Sequence, residues 1–557
     1  MSLPGPEATI AELRKARGAF FTPPSLCRYI VDWAIREPDD EVLEPSCGEA
    51  AFLLEAGQRL SALRAGSPEA DGGVLHGVEL HEESAREALA LLQSQGHDGS
   101  VTVADFFCVD PIARYDAVVG NPPYVRYQDF VGESRARSRE AALRAGVPLT
   151  RLASSWASFT VHAALFLKPQ GRLGLVLPAE LLSVNYAAEV RRFLMERFAR
   201  VRLVLFTDRV FPGVLEEVVL LLAEGAGPTD HCELYQVRNV AHLVGTEHAA
   251  RRWKPDAPGA KWTPSLLSSS ALETYQELAT SDAFGTLHEW GETTLGMVTG
   301  NNNYFTLTPE RAADLGLLPT DVLRLSPPGS RHLRALTLTD AVWNGLGEAG
   351  QRTLLFRPEG EPSKAALAYI DAGEALAVGD AYKCRIRAPW WRVPLVPPAD
   401  LLLTYMNADT PRLCTNRTRA YHLNSVHGVY LRPGLRRLGM DYLPLASLNS
   451  MTLLGAETVG RAYGGGMLKL EPREADRLPV PSMSLVAAAA KDFTAKRSLL
   501  SRVLREEGLL RVVDLVDGLM LVGIVGMPLS RVAELRDARA ELAARRVARG
   551  ADPRDGD

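Results

Sequence analysis

The sequence predicts an α/β fold: a Rossmann-like, mostly parallel sheet over residues 1–235, then a mixed α+β domain, then a helical tail. Three observations carry this. Short apolar runs alternate with helical segments in the first part, and several of the runs end in a carboxylate or an amide, the signature of βαβ units. After Gly225-Ala226-Gly227-Pro228 that rhythm stops, and from residue 291 short strands and turns replace it. Residues 484–557 then read as helix, with Pro528-Leu529-Ser530 opening a last charged one. A chain of 557 residues exceeds one hydrophobic core, so the expected division is 1–235, a linker region 236–290, a second domain 291–485 and a helical segment 486–557.

Taken in order, residues 7–17 read as a short charged helix, followed by Gly18-Ala19-Phe20-Phe21-Thr22-Pro23-Pro24. Thr22 before Pro23 is a helix-start signal for Leu26–Ala34. Val42-Leu43-Glu44-Pro45 reads as a strand, and Ser46-Cys47-Gly48-Glu49-Ala50-Ala51-Phe52 as a tight turn into a helix, a geometry that brings backbone amides close to a ligand. Val74–Leu80 is a second strand carrying Glu79 at its tip, where a carboxylate commonly accepts from ribose hydroxyls. A helix, Glu82–Gln95, leads to a third strand, Val101–Ala104, which ends in Asp105-Phe106-Phe107. There an acid can accept from an adenine amine and an aromatic ring can cover its face. One acid at a strand tip is usually a helix cap, but three in succession at one sheet edge point to a nucleoside pocket.

The fourth strand, Tyr115–Val119, ends in Gly120-Asn121-Pro122-Pro123-Tyr124. Proline restricts its own φ and the residue before it, so Asn121 and Pro122 are held extended in a rigid loop at the carboxyl end of a strand. Such a loop presents carbonyl oxygens and one flat ring, which suits a planar amine. Val131–Pro148, with alternating Glu and Arg, reads either as a solvated amphipathic helix or as a loop that orders on a partner.

Composition narrows the class: 46% hydrophobic and 23% charged residues with a formal net charge of −5 describe a soluble globular chain. Six scattered cysteines without a C-x-x-C pair argue against a zinc site or a disulfide framework, and no metal is called for. No signal pattern or membrane-length apolar run is present, so a cytoplasmic protein is expected.

Phe-x-Thr-Pro-Pro, Glu44-Pro45-x-Cys47-Gly48, Glu79, Asp105-Phe106 and Asn121-Pro122-Pro123-Tyr124, in that order, resemble the gamma-class DNA adenine-N6 methyltransferases of restriction–modification systems. The resemblance covers residues 1–225 and implies an S-adenosylmethionine-dependent methyltransferase sheet followed by a DNA-recognition domain. It implies S-adenosyl-L-methionine held by Phe21, Thr22, Glu44, Ser46, Gly48, Glu79, Asp105 and Phe106, and a catalytic group of Asn121, Pro122, Tyr124 and Phe211 acting on a flipped-out adenine. One departure is Gly48-Glu49-Ala50 in place of the family's Gly-x-Gly, which predicts a loop set slightly further from the methionine moiety. The implied partner is double-stranded DNA and the implied state a monomer. With only the residues before Gly18 ahead of the first motif, a separate restriction endonuclease is expected.

The remainder of the chain supplies the expected recognition module. Gly296–Phe305 and Tyr463–Pro472 look like recognition segments, and residues 381–470 carry 12 basic against 4 acidic residues, net +8, interleaved with aromatics. That pattern suits phosphate contact, with Arg417 and Arg419 as candidates. Two other readings stay open: methylation of an rRNA base or a protein glutamine by enzymes sharing Asn-Pro-Pro-Tyr, and a non-catalytic DNA-binding subunit. The former rarely need so large a basic module and lack Phe-x-Thr-Pro.

Overall fold

A computed structural model describes residues 22–66, 73–125, 127–130, 132–206, 210, 217–243 and 250–550. The expected helix 7–17, Phe21 and Phe211 lie outside the described residues. The chain divides into two compact units at Leu266/Leu267.

The first unit is built on a nine-stranded sheet: β1 (Val42–Pro45), β2 (Leu75–Glu79), β3 (Gly99–Val103), β4 (Tyr115–Gly120), β5 (Leu167–Pro178), β6 (Phe198–Phe206), β7 (Val218–Ala226), β8 (Cys232–Val237) and β9 (Arg251–Trp253). The spatial order is β3-β2-β1-β4-β5-β7-β6-β8-β9. The pairs from β3 through β5 are all parallel, whereas β7 runs antiparallel between β5 and β6. Five strands therefore present their carboxyl ends at one edge, which is where open α/β sheets hold ligands.

Helices α1 (Pro24–Ala34), α2 (Ala51–Gly66) and α3 (Glu82–Ser94) pack in one core with Ala117, Val119, Val176 and Leu220 of the strands. Leu43, Val118, Leu175 and Leu177, which point to the other face, are equally buried. Both faces are covered, so these strands read as continuous apolar runs rather than alternating ones. Further helices are α4 (Gly132–Arg144), α5 (Ser155–Ala164) and α6 (Ala188–Arg197). Gly77 in β2 is required by close approach: a Cβ there would lie 2.9 Å from Cys47 Sγ and 3.1 Å from a Leu53 methyl, so a side chain would push the β1–α2 turn off the sheet.

The region expected as a linker is shared between the units. β8 and β9 extend the first sheet, and α7 (Ser269–Thr280) belongs to the second unit. Three-residue β9 is too short to show alternation, so the sequence carries no period to detect.

The second unit contains a five-stranded sheet of β10 (Gly291–Leu295), β11 (Thr337–Leu338), β12 (Leu401–Thr404), β13 (Leu413–Asn416) and β14 (Val426–Leu431), in the order β10-β14-β12-β13-β11. It is more helical than the sequence suggests, with α8 (Lys364–Ala375), α9 (Arg436–Ala446) and α10 (Ser450–Val459). α10 is buried on nearly every side and so shows no apolar stripe, and α9 contains Pro444. The tail forms α11 (Met483–Glu506), α12 (Leu509–Asp517) and α13 (Leu529–Gly550). No helix among the described residues is long and apolar enough to cross a membrane.

Ion pairs pin α13 down. Arg536 meets the buried Asp517 at 2.7 Å and Asp514 at 2.8 Å. Arg546 makes two bonds of 2.9 Å to Glu457, and both side chains are under 5% exposed. Removing one partner of such a pair leaves an uncompensated buried charge, costing about 3–5 kcal/mol, whereas replacing both by apolar groups costs far less. Glu457→Ala should therefore lower the urea midpoint of the second unit's transition by a corresponding amount. A Glu457→Leu/Arg546→Met double variant should recover most of the loss.

Candidate active site and cofactor pocket

The site assembles at the carboxyl ends of β1, β2, β3 and β4. At its centre is Asn121, immediately after β4. Its Nδ2 donates to Thr22 Oγ1 at 3.1 Å, and its Oδ1 lies 2.8 Å from the Tyr124 hydroxyl. The same hydroxyl is 2.9 Å from the Val176 carbonyl of β5, within donor reach of both acceptors. The side-chain amide is thus fixed from both ends, by a residue 99 positions earlier and one 3 positions later. Ser155, in the first turn of α5, clamps the loop from below: its Oγ accepts from Val125 N–H at 2.9 Å and donates to the Pro123 carbonyl. Pro122 is buried, while Asn121, Pro123 and Tyr124 are half-buried.

The turn after β1 carries an unusual backbone. Ser46, Gly48 and Ala50 have φ of 64°, 50° and 59°, three left-handed residues within five. Among the described residues, a Cβ on Gly48 would meet nothing within 4 Å, so they leave space over the turn. Gly48 N–H donates to Glu79 Oε2 at 3.0 Å, and His81 N–H to Glu79 Oε1 at 3.0 Å. A carboxylate offers about four acceptor positions, so each Glu79 oxygen keeps one.

Glu44 is committed differently. Its Oε2 accepts from Leu53 N–H at 3.0 Å at the start of α2. Burial pushes its carboxyl well above the usual carboxylate range, against the amide bonds from Leu53 and Phe52, and the charge of Glu79 adds to the rise. Asp105 caps the turn Phe106–Cys108, accepting from Phe107 N–H at 3.1 Å. All three strand-tip acids therefore act as caps, and in Glu79 a cap still leaves acceptor positions free.

Phe106 departs from expectation. Its ring is 5% exposed and packs among Phe159, His162 and Phe166, with centroids 4.8, 4.7 and 5.2 Å away. It serves the core, because an aromatic ring gains more from that cluster than from a solvent-facing position. Buried His162 sits below it, with Nε2 3.1 Å from the carbonyls of Phe106 and Val109; burial lowers its pKa, so the ring is neutral and holds this turn in place. Among the described residues, Leu80 is an exposed apolar side chain at this edge, 60% exposed next to Glu79. Residues 132–144 of the charged insertion form α4, whose Arg137 reaches to 3.7 Å from Asp105 Oδ2.

A family model described as N-6 DNA methylase matches residues 8–242, and one described as the C-terminal domain of Type II methyltransferase M.Eco57I matches residues 259–521. The chain is 27% identical over 492 residues to the Type II methyltransferase M.XamI of Xanthomonas campestris pv. amaranthicola, covering 84% of this chain and 85% of that one. It is 20% identical over 496 residues to M.AccI of Acinetobacter calcoaceticus, covering 86% and 88%. The stretch 8–242 belongs to the N-6 DNA methylase family. Its fold is shared with the Type IIL restriction-modification enzyme MmeI, solved in complex with DNA, at a TM-score of 0.52 and 12% identity over 94% of this chain and 75% of that one.

Within this N-6 DNA methylase stretch, the structure brings Thr22, Glu44, Ser46, Gly48, Glu79, Asp105, Phe106, Asn121, Pro122 and Tyr124 to one sheet edge. Leu80, Arg137 and Ser155 are neighbours that the sequence did not single out. Ser155 had a signal, a small polar residue just before a helical run, whereas nothing in the sequence ties Arg137 to Asp105. Tyr124→Phe keeps the ring and removes only the hydroxyl that holds Asn121. At about 1 kcal/mol for a net hydrogen bond, kcat should fall roughly five-fold with KM for the cofactor unchanged. Single-turnover methylation assays read this directly, and a Tyr124→Ala variant, which also loses the ring, should lose far more.

Proposed function

We propose that this chain is a site-specific DNA methyltransferase of the gamma class that methylates the exocyclic N6 of a flipped-out adenine, as the modification enzyme of a restriction–modification system. The observation that carries the reading is the Asn121 amide held between the Thr22 and Tyr124 hydroxyls, beside the open turn at Gly48 and Glu79. The proposed partner is double-stranded DNA, with a separate endonuclease completing the system, and the protein acts as a cytoplasmic monomer.

S-adenosyl-L-methionine, when bound, supplies an electrophilic sulfonium methyl group. Its nucleoside end fits the cradle here: space over Gly48, free acceptor positions on Glu79 for ribose hydroxyls, Asp105 for an adenine amine and Leu80 against a ring face. Glu44 turns an accepting oxygen toward α2, and Ser46 holds a left-handed position in the turn beside it. Phe21 and Phe211 complete the proposed cofactor and base contacts respectively.

Adenine's N6 is a poor nucleophile because its lone pair is delocalised into the ring. Asn121 Oδ1 and the Pro122 carbonyl act as two acceptors aimed at the amine's two N–H bonds and draw the nitrogen toward tetrahedral geometry. Their pull strengthens as positive charge grows on nitrogen, so they favour the transition state over the bound base. The Tyr124 hydroxyl occupies one acceptor position of Oδ1 and leaves the other for the amine. Its ring stacks on the base, returning roughly 1–3 kcal/mol of the cost of extrusion.

Asn121→Ala should abolish methyl transfer while cofactor affinity by titration calorimetry stays within a few-fold; substantial residual turnover would remove Asn121 from the chemistry. Glu79→Ala removes a charged acceptor worth roughly 1.5–3 kcal/mol per bond, so cofactor binding should weaken at least about tenfold. An unchanged dissociation constant would place the ribose elsewhere.

A further inference from the structure

Two stretches of the second unit, far apart in sequence, form one surface. Gly300 adopts φ 91°, and a Cβ there would lie 2.9 Å from Cys384 Sγ and 3.1 Å from Lys383 Cβ, so the loop at Thr299–Asn301 lies flat on the turn Tyr382–Arg385 only because residue 300 is glycine. Arg387 locks the two together, donating to the carbonyls of Thr299 at 2.7 Å and Val298 at 2.5 Å, and Cys384 Sγ lies 3.6 Å from the same Thr299 oxygen. Asn302 and Asn303, exposed beside this contact, are oriented by Thr299 at 2.5 Å and by Arg352 at 2.8 Å.

The charge on this shelf is unbalanced. Residues 381–399 contain four basic side chains and no acidic one. Lys383, Arg385 and Arg392 are exposed and have no carboxylate partner among the described residues. Elsewhere in the basic segment five cations are paired: Arg412 with Asp409, Arg417 with Asp441, Arg436 with Asp400, Arg461 and Lys469 with Glu471. Arg419, Arg432 and Arg437 are exposed without a carboxylate partner among the described residues, but no apolar tips are grouped with them as they are on the shelf. Arg417, a phosphate-contact candidate from the sequence, is thus engaged within the protein. On the shelf, Tyr382 and Ile386 stand 64% and 61% exposed, four residues apart on a helical turn and hence side by side.

We propose that this shelf is the face the second unit lays on duplex DNA, with Lys383 and Arg385 neutralising phosphates and Tyr382 and Ile386 entering the groove between them. The inference rests on the DNA-methyltransferase reading. Exposed cations without a carboxylate partner fit a polyanion, and apolar tips flanked by cations fit a groove bordered by phosphates, because each group then meets its complement.

The test uses the full chain, with a target duplex identified by mapping methylated adenines in DNA from expressing cells, and a random duplex. A Lys383→Gln/Arg385→Gln double variant should bind both duplexes at least about tenfold more weakly at moderate salt, and should flatten the slope of log K against log [salt] by about 1.8, some 0.9 per phosphate contact. Tyr382→Ala/Ile386→Ala should lose more affinity for the target than for random DNA. Cofactor titration and thermal melting should match the parent in both variants, reporting intact folding. Parental affinity and salt slope in the double variant, while the parent methylates its target, would overturn the shelf alone. A parent that binds cofactor yet neither binds nor methylates duplex DNA would overturn the underlying reading, and the shelf with it.

Discussion

In the proposed mechanism, the orientation of one side-chain amide governs the site. Asn121 has an acceptor and a donor end, and only one of them can face a substrate amine usefully. The hydroxyls of Thr22 and Tyr124 lie within hydrogen-bond reach of its Nδ2 and Oδ1, and each also links a separate part of the chain to the loop: the start of α1 through Thr22, and β5 through the Val176 carbonyl. Each bond contributes about 1 kcal/mol, a small share of the stability of so large a unit. Their value lies in direction. An acceptor held in place before the reaction need not reorganise as charge develops, which is where electrostatic catalysis gains its advantage.

The surrounding edge shows how structural and chemical roles combine in the same atoms. Parallel strands need turns into the helices that follow, and those turns leave amide N–H groups without partners. Glu44, Glu79 and Asp105 satisfy them. Their surroundings then separate their tasks. Glu44 sits deep enough for burial to raise its pKa, and its accepting atoms face α2. Glu79 bridges two turns, so a ligand that engages its free positions also stiffens the Gly48 turn.

Much of this was legible in the sequence because parallel strands and proline-rich loops leave local signatures. β1 to β5, their polar tips and the Asn121 loop all fall where the pattern places them. What escaped is what depends on partners distant in the chain. Phe106 looks the same in sequence whether its ring faces a ligand or Phe159 and Phe166. Arg417 reads as a free cation until Asp441 is seen beside it. The helices of the second unit were hidden for a related reason: α10 is enclosed on all sides, and a helix without a solvent face has no period to read.

Ala50 shows how alanine can hold a backbone position that favours glycine. At φ 59° it holds a backbone conformation that favours glycine, with a strain of roughly 1–2 kcal/mol for a residue bearing a Cβ. That Cβ is fully buried in the core formed with α1 and α2. Burying a methyl recovers about 0.8 kcal/mol, and the more restricted unfolded chain of alanine recovers roughly another 0.5–1 kcal/mol. The terms nearly cancel. Alanine therefore holds this left-handed position at little net cost.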